Sequence, residues 1–249
     1  NRWHSLALAA AMLAAGAAPA ATVTVYTGDP SWGAENSGGG SSTITATAAR
    51  SGNGSLEMTG DRTRFFGLGN PYSAASNLGR LDDVLKLTME WMIATGSVSN
   101  LGPDYSPALR LHIWDGNQRS ELIWEAAYNG LYGSVDEGTW YTTGAGDRFH
   151  RWVSGAGGTL LAGALVTQSL ADWQAGTTWY SDNAYVSAVS IGVGSSVGAG
   201  YRAFADNLTL AIGGVETTYN FETRAVPEPA SLALAGLALA ALAAARRRG

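Results

Sequence analysis

Among the residues that do chemistry, Glu121 and Glu125 are the first pair to weigh. Two carboxylates about 5 to 10 Å apart on one face would suit glycoside hydrolysis. They share parity in Ser120–Ala127, a stretch that alternates like a strand. Four residues at about 3.3 Å each put them roughly 13 Å apart, too far for that work. They are therefore expected as solvated carboxylates on a strand face. Nucleophilic catalysis needs a base, and the body offers only His112 and His150. His112 takes the polar parity of an apolar strand. His150 lies in a charged stretch with Asp147, Arg148 and Arg151 that reads as a turn. No Gly-x-Ser-x-Gly elbow occurs.

Metal chemistry has little to build on. Two histidines without cysteine do not make a zinc centre. Calcium takes carboxylate and carbonyl oxygens, and one carboxylate stands out for it. Asp206 shares sequence parity with Phe204, Leu208 and Leu210, so it interrupts an apolar face. A buried carboxylate needs a partner. Either a structural calcium ion or backbone amides at a bulge would supply it. Aromatic recognition of sugars remains open. Trp91 and Trp124 follow core parity, whereas Trp140, Tyr141, Trp152, Trp173, Trp179 and Tyr180 fall in turn-rich stretches and could line a surface. For each one separately, packing is the commoner fate of so large a ring.

The elements that must hold these residues are strands. Alternation recurs while helical periodicity does not. In Val84–Ala94, the residues Leu85, Leu87, Met89, Trp91 and Ile93 take one parity, with Lys86, Thr88 and Glu90 on the other. Ala108–Trp114 repeats the pattern, Asp115-Gly116-Asn117 turns, and Ser120–Ala127 returns as its hairpin partner. Further strands are expected at 22–27, 43–47, 55–59, 139–142, 159–162, 186–193 and 201–212, with a short helix at 169–175. About ten strands with Gly- and Asn-rich turns imply an all-β fold, an antiparallel β-sandwich. Between Ala21 and Ala225 there are eleven basic and nineteen acidic side chains, a net charge of −8. Such a body argues against nucleic acid as a partner. There is no cysteine, so no disulfide and no thiol chemistry.

Both ends of the chain differ from this body. Residues 1–20 carry Arg2, an apolar run and Ala18-Pro19-Ala20, the layout of a signal peptide. Residues 226–249 begin with Val226-Pro227-Glu228-Pro229, continue as an Ala/Leu run, and end in Arg246, Arg247 and Arg248. The prolines start the apolar helix after Pro229. The arginines hold its end on the cytoplasmic side. Sixteen apolar residues give roughly 24 Å of helix, short for a permanent span.

This tail resembles the PEP-CTERM sorting signal of Gram-negative bacteria. The resemblance implies processing by an exosortase near Pro227-Glu228-Pro229, a transient inner-membrane intermediate, and delivery to the cell surface or extracellular matrix, often with exopolysaccharide. Within the body, Gly54–Gly60, Pro107–Leu111, Leu122–Glu125, Gly138–Trp140 and Phe204–Leu210 resemble the β-sandwich domains of PEP-CTERM proteins. The last segment is also similar to the final strand of jelly-roll carbohydrate-binding modules. That likeness implies a concanavalin-like or galactose-binding-like jelly roll, with Asp206 where such modules often place a structural calcium ligand. The expectation is a non-enzymatic, exopolysaccharide-associated surface protein. The alternatives are a dedicated carbohydrate-binding module and, behind it, a polysaccharide hydrolase or lyase.

Overall fold

A computed structural model describes residues 20–224 apart from 103–104, 132–134 and 145. The expected signal peptide, the Pro-Glu-Pro motif, the apolar run and the arginine end all lie outside the described residues. Eleven longer strands build the body: β1 Ala21–Tyr26, β2 Ser41–Thr45, β3 Ser55–Thr59, β4 Arg64–Gly69, β5 Val84–Ile93, β6 Ala108–Asp115, β7 Gln118–Trp124, β8 Arg148–Val153, β9 Tyr185–Gly192, β10 Arg202–Ile212 and β11 Val215–Glu222. The short helix α1, Leu170–Gln174, is capped by Ser169, which forms a reciprocal capping box with Asp172.

The strands form two sheets, seven and nine strands wide with their short edge pieces, packed as a sandwich. In the first, β10 is central. One edge pairs with β5, and the other pairs with β3 through Ala205 and with β11 from Leu208. The second sheet runs β8-β7-β6-β9-β4. Its hairpin β6–β7 turns at Gly116, whose φ of +57° suits glycine, and sets His112 opposite Glu121. Ladder pairs are antiparallel except β1 on β11, where the first strand lies parallel beside the last.

The two inner faces meet in one apolar core. Trp91 from β5 reaches across to Trp124 from β7, with ring centroids 5.6 Å apart. Tyr141 stacks on Trp91 at 5.1 Å. Both tryptophans are wholly buried. Trp173 and Tyr180, expected as candidates for a surface, are buried too. Trp173 closes the core beneath α1, with its indole N–H donating to the Phe149 carbonyl at 2.9 Å.

Two bulges change what parity alone implies. Along β5, Val84 faces Ile212 and Lys86 faces Ala211, so two steps on β5 match one on β10. The extra residue turns Leu85 outward, 74% exposed, and Val84 takes its place in the core. Along β10, Asp206 faces Glu90 and Thr209 faces Thr88, again with one residue to spare. Asn207 absorbs it at φ +49°. The core side of β10 is Ala203 and Ala205 before the bulge, and Leu208 and Leu210 after it. Phe204 belongs to a separate cluster with Met92 and Ala94. Asp206 follows Phe204, so it lies on the opposite side from Leu208 and Leu210, where sequence parity had placed it.

Three of the eleven longer strands escaped the sequence reading. β4 contains two glycines, β11 follows directly on the Gly213-Gly214 turn, and β8 is so charged that it reads as a turn. His150 therefore lies in a strand, not a turn.

Replacing Trp91 by alanine should lower unfolding free energy by about 3 to 5 kcal/mol. Leu85→Ala should stay within about 0.5 kcal/mol of wild type. Denaturant midpoints at matched slope check both. A large loss for Leu85→Ala would place that side chain inside and remove the bulge.

Candidate functional site

The outer face of the nine-stranded sheet carries the charge that its inner face excludes. On β6, Leu109, Leu111 and Ile113 turn to the core, leaving Arg110 and His112 outside. On β7, Leu122 and Trp124 turn inward, leaving Arg119, Glu121 and Ile123 outside. On β8, His150 pairs with Ile123 and Trp152 with Glu121. From β9 comes Ser190, opposite Arg110, and from β4 comes Arg64.

These side chains converge on Glu121. Arg64 Nη2 donates to both its oxygens at 3.2 Å, and Arg119 Nη1 donates to Oε1 at 2.7 Å. Arg110 Nε lies 3.8 Å from Oε2. Glu121 and Arg110 are both nearly inaccessible, at 3% and 6%. Arg110, opposite Ile123, stands between Glu121 and Glu125 and interacts with both. Its Nη1 has no hydrogen-bond partner among the described residues. Glu125 is half-buried beside it and accepts from the Tyr105 hydroxyl at 3.0 Å. The pair expected as solvated carboxylates is thus one buried and one half-buried carboxylate around a guanidinium. Burial was hidden because the covering residues, Arg64 and Tyr105, come from distant segments.

Burial opposes ionisation of Glu121, but His112 and the arginines outweigh it and hold its carboxyl well below the usual range. Burial, helped by the charges of Arg64 and Arg110, pushes His112 down to about 4, against the pull of Glu121. At neutral pH the imidazole is therefore neutral, and the guanidiniums are what keep Glu121 charged. Burial also lowers His150 to about 4 and raises Glu125 despite Arg110.

His112 Nε2 lies 2.8 Å from Ser190 Oγ, and its Nδ1 lies 3.4 Å from Glu121 Oε1. An N–H on Nδ1 faces the carboxylate, so Nε2 accepts from the serine. The chain of contacts Ser190, His112, Glu121 repeats the connectivity of a hydrolytic triad. Its environment does not fit that work. Ser190 and His112 are both 0% exposed, in central strands, and neither is among the residues lining the pocket above Glu121. No acyl group can reach Ser190 Oγ. Sequence spacing missed this trio because Ser190 lies far along the chain; the hairpin register alone would have paired His112 with Glu121.

Above the cluster opens a pocket of about 630 Å³. Its lining includes Glu35, Arg62, Arg64, Tyr72, Arg110, Arg119, Glu121 and Trp152. The Arg119 guanidinium lies between two rings, 5.2 Å from Tyr72 and 5.3 Å from Trp152. Arg64 donates to the Tyr72 hydroxyl at 2.7 Å. A shallower depression of about 670 Å³ runs along Thr24, Tyr26, Asn220, Glu222 and Arg224. Its one carboxylate, Glu222, is already bonded by the Asn53 amide and the Asn220 side chain.

Asp206 lies elsewhere, where β10 changes partner from β3 to β11. Its Oδ1 accepts the amides of Asn207 at 2.8 Å and Phe221 at 2.9 Å, and Oδ2 accepts that of Ser51 at 3.2 Å. Of the two partners weighed for this carboxylate, backbone amides fill the place. No group of three His, Cys, Asp or Glu suited to a metal occurs among the described residues. Burial nevertheless pushes Asp206 up to about 6, against those three amides.

Comparison with family models matches residues 225–248 to the PEP-CTERM protein-sorting motif. Neither the curated proteins nor the solved structures compared with the chain give a match. No helix among the described residues is long and apolar enough to cross a membrane. The strand β11 ends at Glu222, directly before the motif, so sorting tail and pocket are attached to different sheets.

Glu121→Gln should destabilise the fold by about 3 to 5 kcal/mol, since it leaves buried guanidiniums uncompensated; chemical denaturation measures it. Stability should also fall as pH drops from about 6.5 to 4. In that window the unfolded chain binds protons at His112 and His150 that the folded chain refuses. Asp206 and Glu125 work the other way, since burial raises both, Asp206 to about 6, but Glu121, held low, adds to the two imidazoles as the pH approaches 4. Denaturant midpoints at pH 7.5 and 5 should differ less in His112→Gln than in wild type. Equal differences would show that His112 titrates normally.

Proposed function

We propose that this chain, which carries a PEP-CTERM sorting motif and so is marked for export and exosortase sorting to the cell surface, is a non-enzymatic carbohydrate-binding protein of the exopolysaccharide matrix. In this reading, its body is a β-sandwich of jelly-roll type that holds glycan on the outer face of its nine-stranded sheet. The tail passes through the inner membrane as an intermediate before Pro227-Glu228-Pro229 is processed. The observation that carries the binding role is the pocket over Glu121, where ring faces and fixed donors lie together. Sugars are recognised by that combination of stacking surface and directional hydrogen bonds.

Two observations favour binding over hydrolysis or elimination. Glu121 is held ionised by salt bridges, so it cannot deliver a proton as a general acid. Ser190 and His112 are closed to substrate. A calcium ion at Asp206 remains part of the family resemblance; the three amides already do its structural work.

Fractionating cells tests the sorting. Glu228→Ala, or loss of Arg246, Arg247 and Arg248, should leave most of the protein in the inner membrane. Release as efficient as wild type would remove the tail from the account. Incubation with matrix polysaccharide should yield neither reducing ends nor unsaturated products, and either one would make the protein an enzyme.

A further inference from the structure

We infer that the pocket over Glu121 takes a carboxylated sugar, a uronate unit of an acidic polysaccharide, through Arg62, Arg64 and Arg119. The inference rests on the glycan reading above and adds the charge of the ligand.

Charge is the first argument. Four guanidiniums and two carboxylates line the pocket, a local charge of +2, on a body whose net charge is −8. The positive groups are gathered on one face against the overall balance, and a neutral ligand gives no reason for that. Glu35, at the rim, and Glu125, beneath Arg110, are the opposing charges nearby. The first is counted in the +2, and the second is shared with Arg110.

Donor supply is the second. Each guanidinium presents several N–H donors in a fixed fork. Glu121 receives Arg64 and Arg119 and lies near Arg110, which saturates its two oxygens. Donors remain. Arg62 is exposed and outside the cluster, and Arg119 uses one nitrogen on Glu121. A second carboxylate, brought by the ligand, matches the planar fork just as Glu121 does.

Shape is the third. Arg119 contacts the rings of Tyr72 and Trp152 and bonds Glu121, so it is restrained before a ligand arrives, and little side-chain freedom is lost on binding. Trp152 is only half-buried and lines the same pocket. A pyranose carrying a carboxylate meets both requirements, a flat apolar face and an anion at its rim. An inorganic anion meets only one.

The full-length chain, solubilised in mild detergent, can be run by affinity electrophoresis and calorimetry against polygalacturonate, dextran sulfate and neutral dextran. Polygalacturonate should bind, dextran should not, and raised salt should weaken binding. Arg119→Gln and Arg62→Gln should each weaken it about tenfold, the worth of one charge-assisted contact. Arg62 lies outside the buried cluster, so its variant carries the test if Arg119→Gln does not fold; circular dichroism and thermal melts establish folding. Unchanged affinity in both folded variants would overturn the site. Binding to dextran sulfate alone would overturn the carboxylate. Equal binding to dextran and polygalacturonate would overturn the charge selectivity while leaving the glycan reading standing. Binding to none of the three would overturn both.

Discussion

The seven-stranded sheet depends on a change of partner in its central strand. One edge of β10 serves β3 and then β11, and two strands approaching one edge leave a gap in the ladder between them. Backbone amides at such a gap would be buried without acceptors, at a cost of about 1 to 3 kcal/mol each. Asp206 fills the gap. Its carboxylate takes the Ser51 amide on the β3 side and the Phe221 amide on the β11 side, and so replaces the missing ladder bonds. The bulge at Asn207 lets the side chain lie there while Leu208 and Leu210 return to the core. The same amides that hold the fork give the carboxylate its hydrogen bonds.

With that sheet fixed, the other sheet has a wholly apolar inner face to pack against, and Trp91 meets Trp124 across the interface. Filling the interior with large rings leaves charge only the outer face. There the arginines are too close to one another to be stable without a counter-ion, and Glu121 provides it. The price is burial of the carboxylate, which is met because Arg64 reaches over from β4 and Arg119 is pinned between rings. His112 stays neutral beneath them, a structural spacer between Ser190 and Glu121.

The sorting motif follows β11, in the first sheet, and the pocket lies on the second sheet's outer face. The two therefore belong to different sheets.

Sequence alone determined the class of fold, most strand positions, the burial of Trp91 and Trp124, and the sorting tail. These are local properties: alternation sets a strand's two faces, and the tail is a linear signal read in order. Tertiary structure decided the rest. Leu85 left the core and Asp206 changed sides because each bulge depends on the neighbouring strand's register, which one strand's pattern does not contain. Glu121 became buried and Glu125 half-buried because Arg64 from β4 and Tyr105 cover them. The pocket joins Arg62, Tyr72, Arg119 and Trp152 from separate stretches of chain. None of these residues is unusual where it stands in the sequence. Only the sheet order β8-β7-β6-β9-β4, with Arg64 reaching across to Glu121, gives the group a common field and a common cavity.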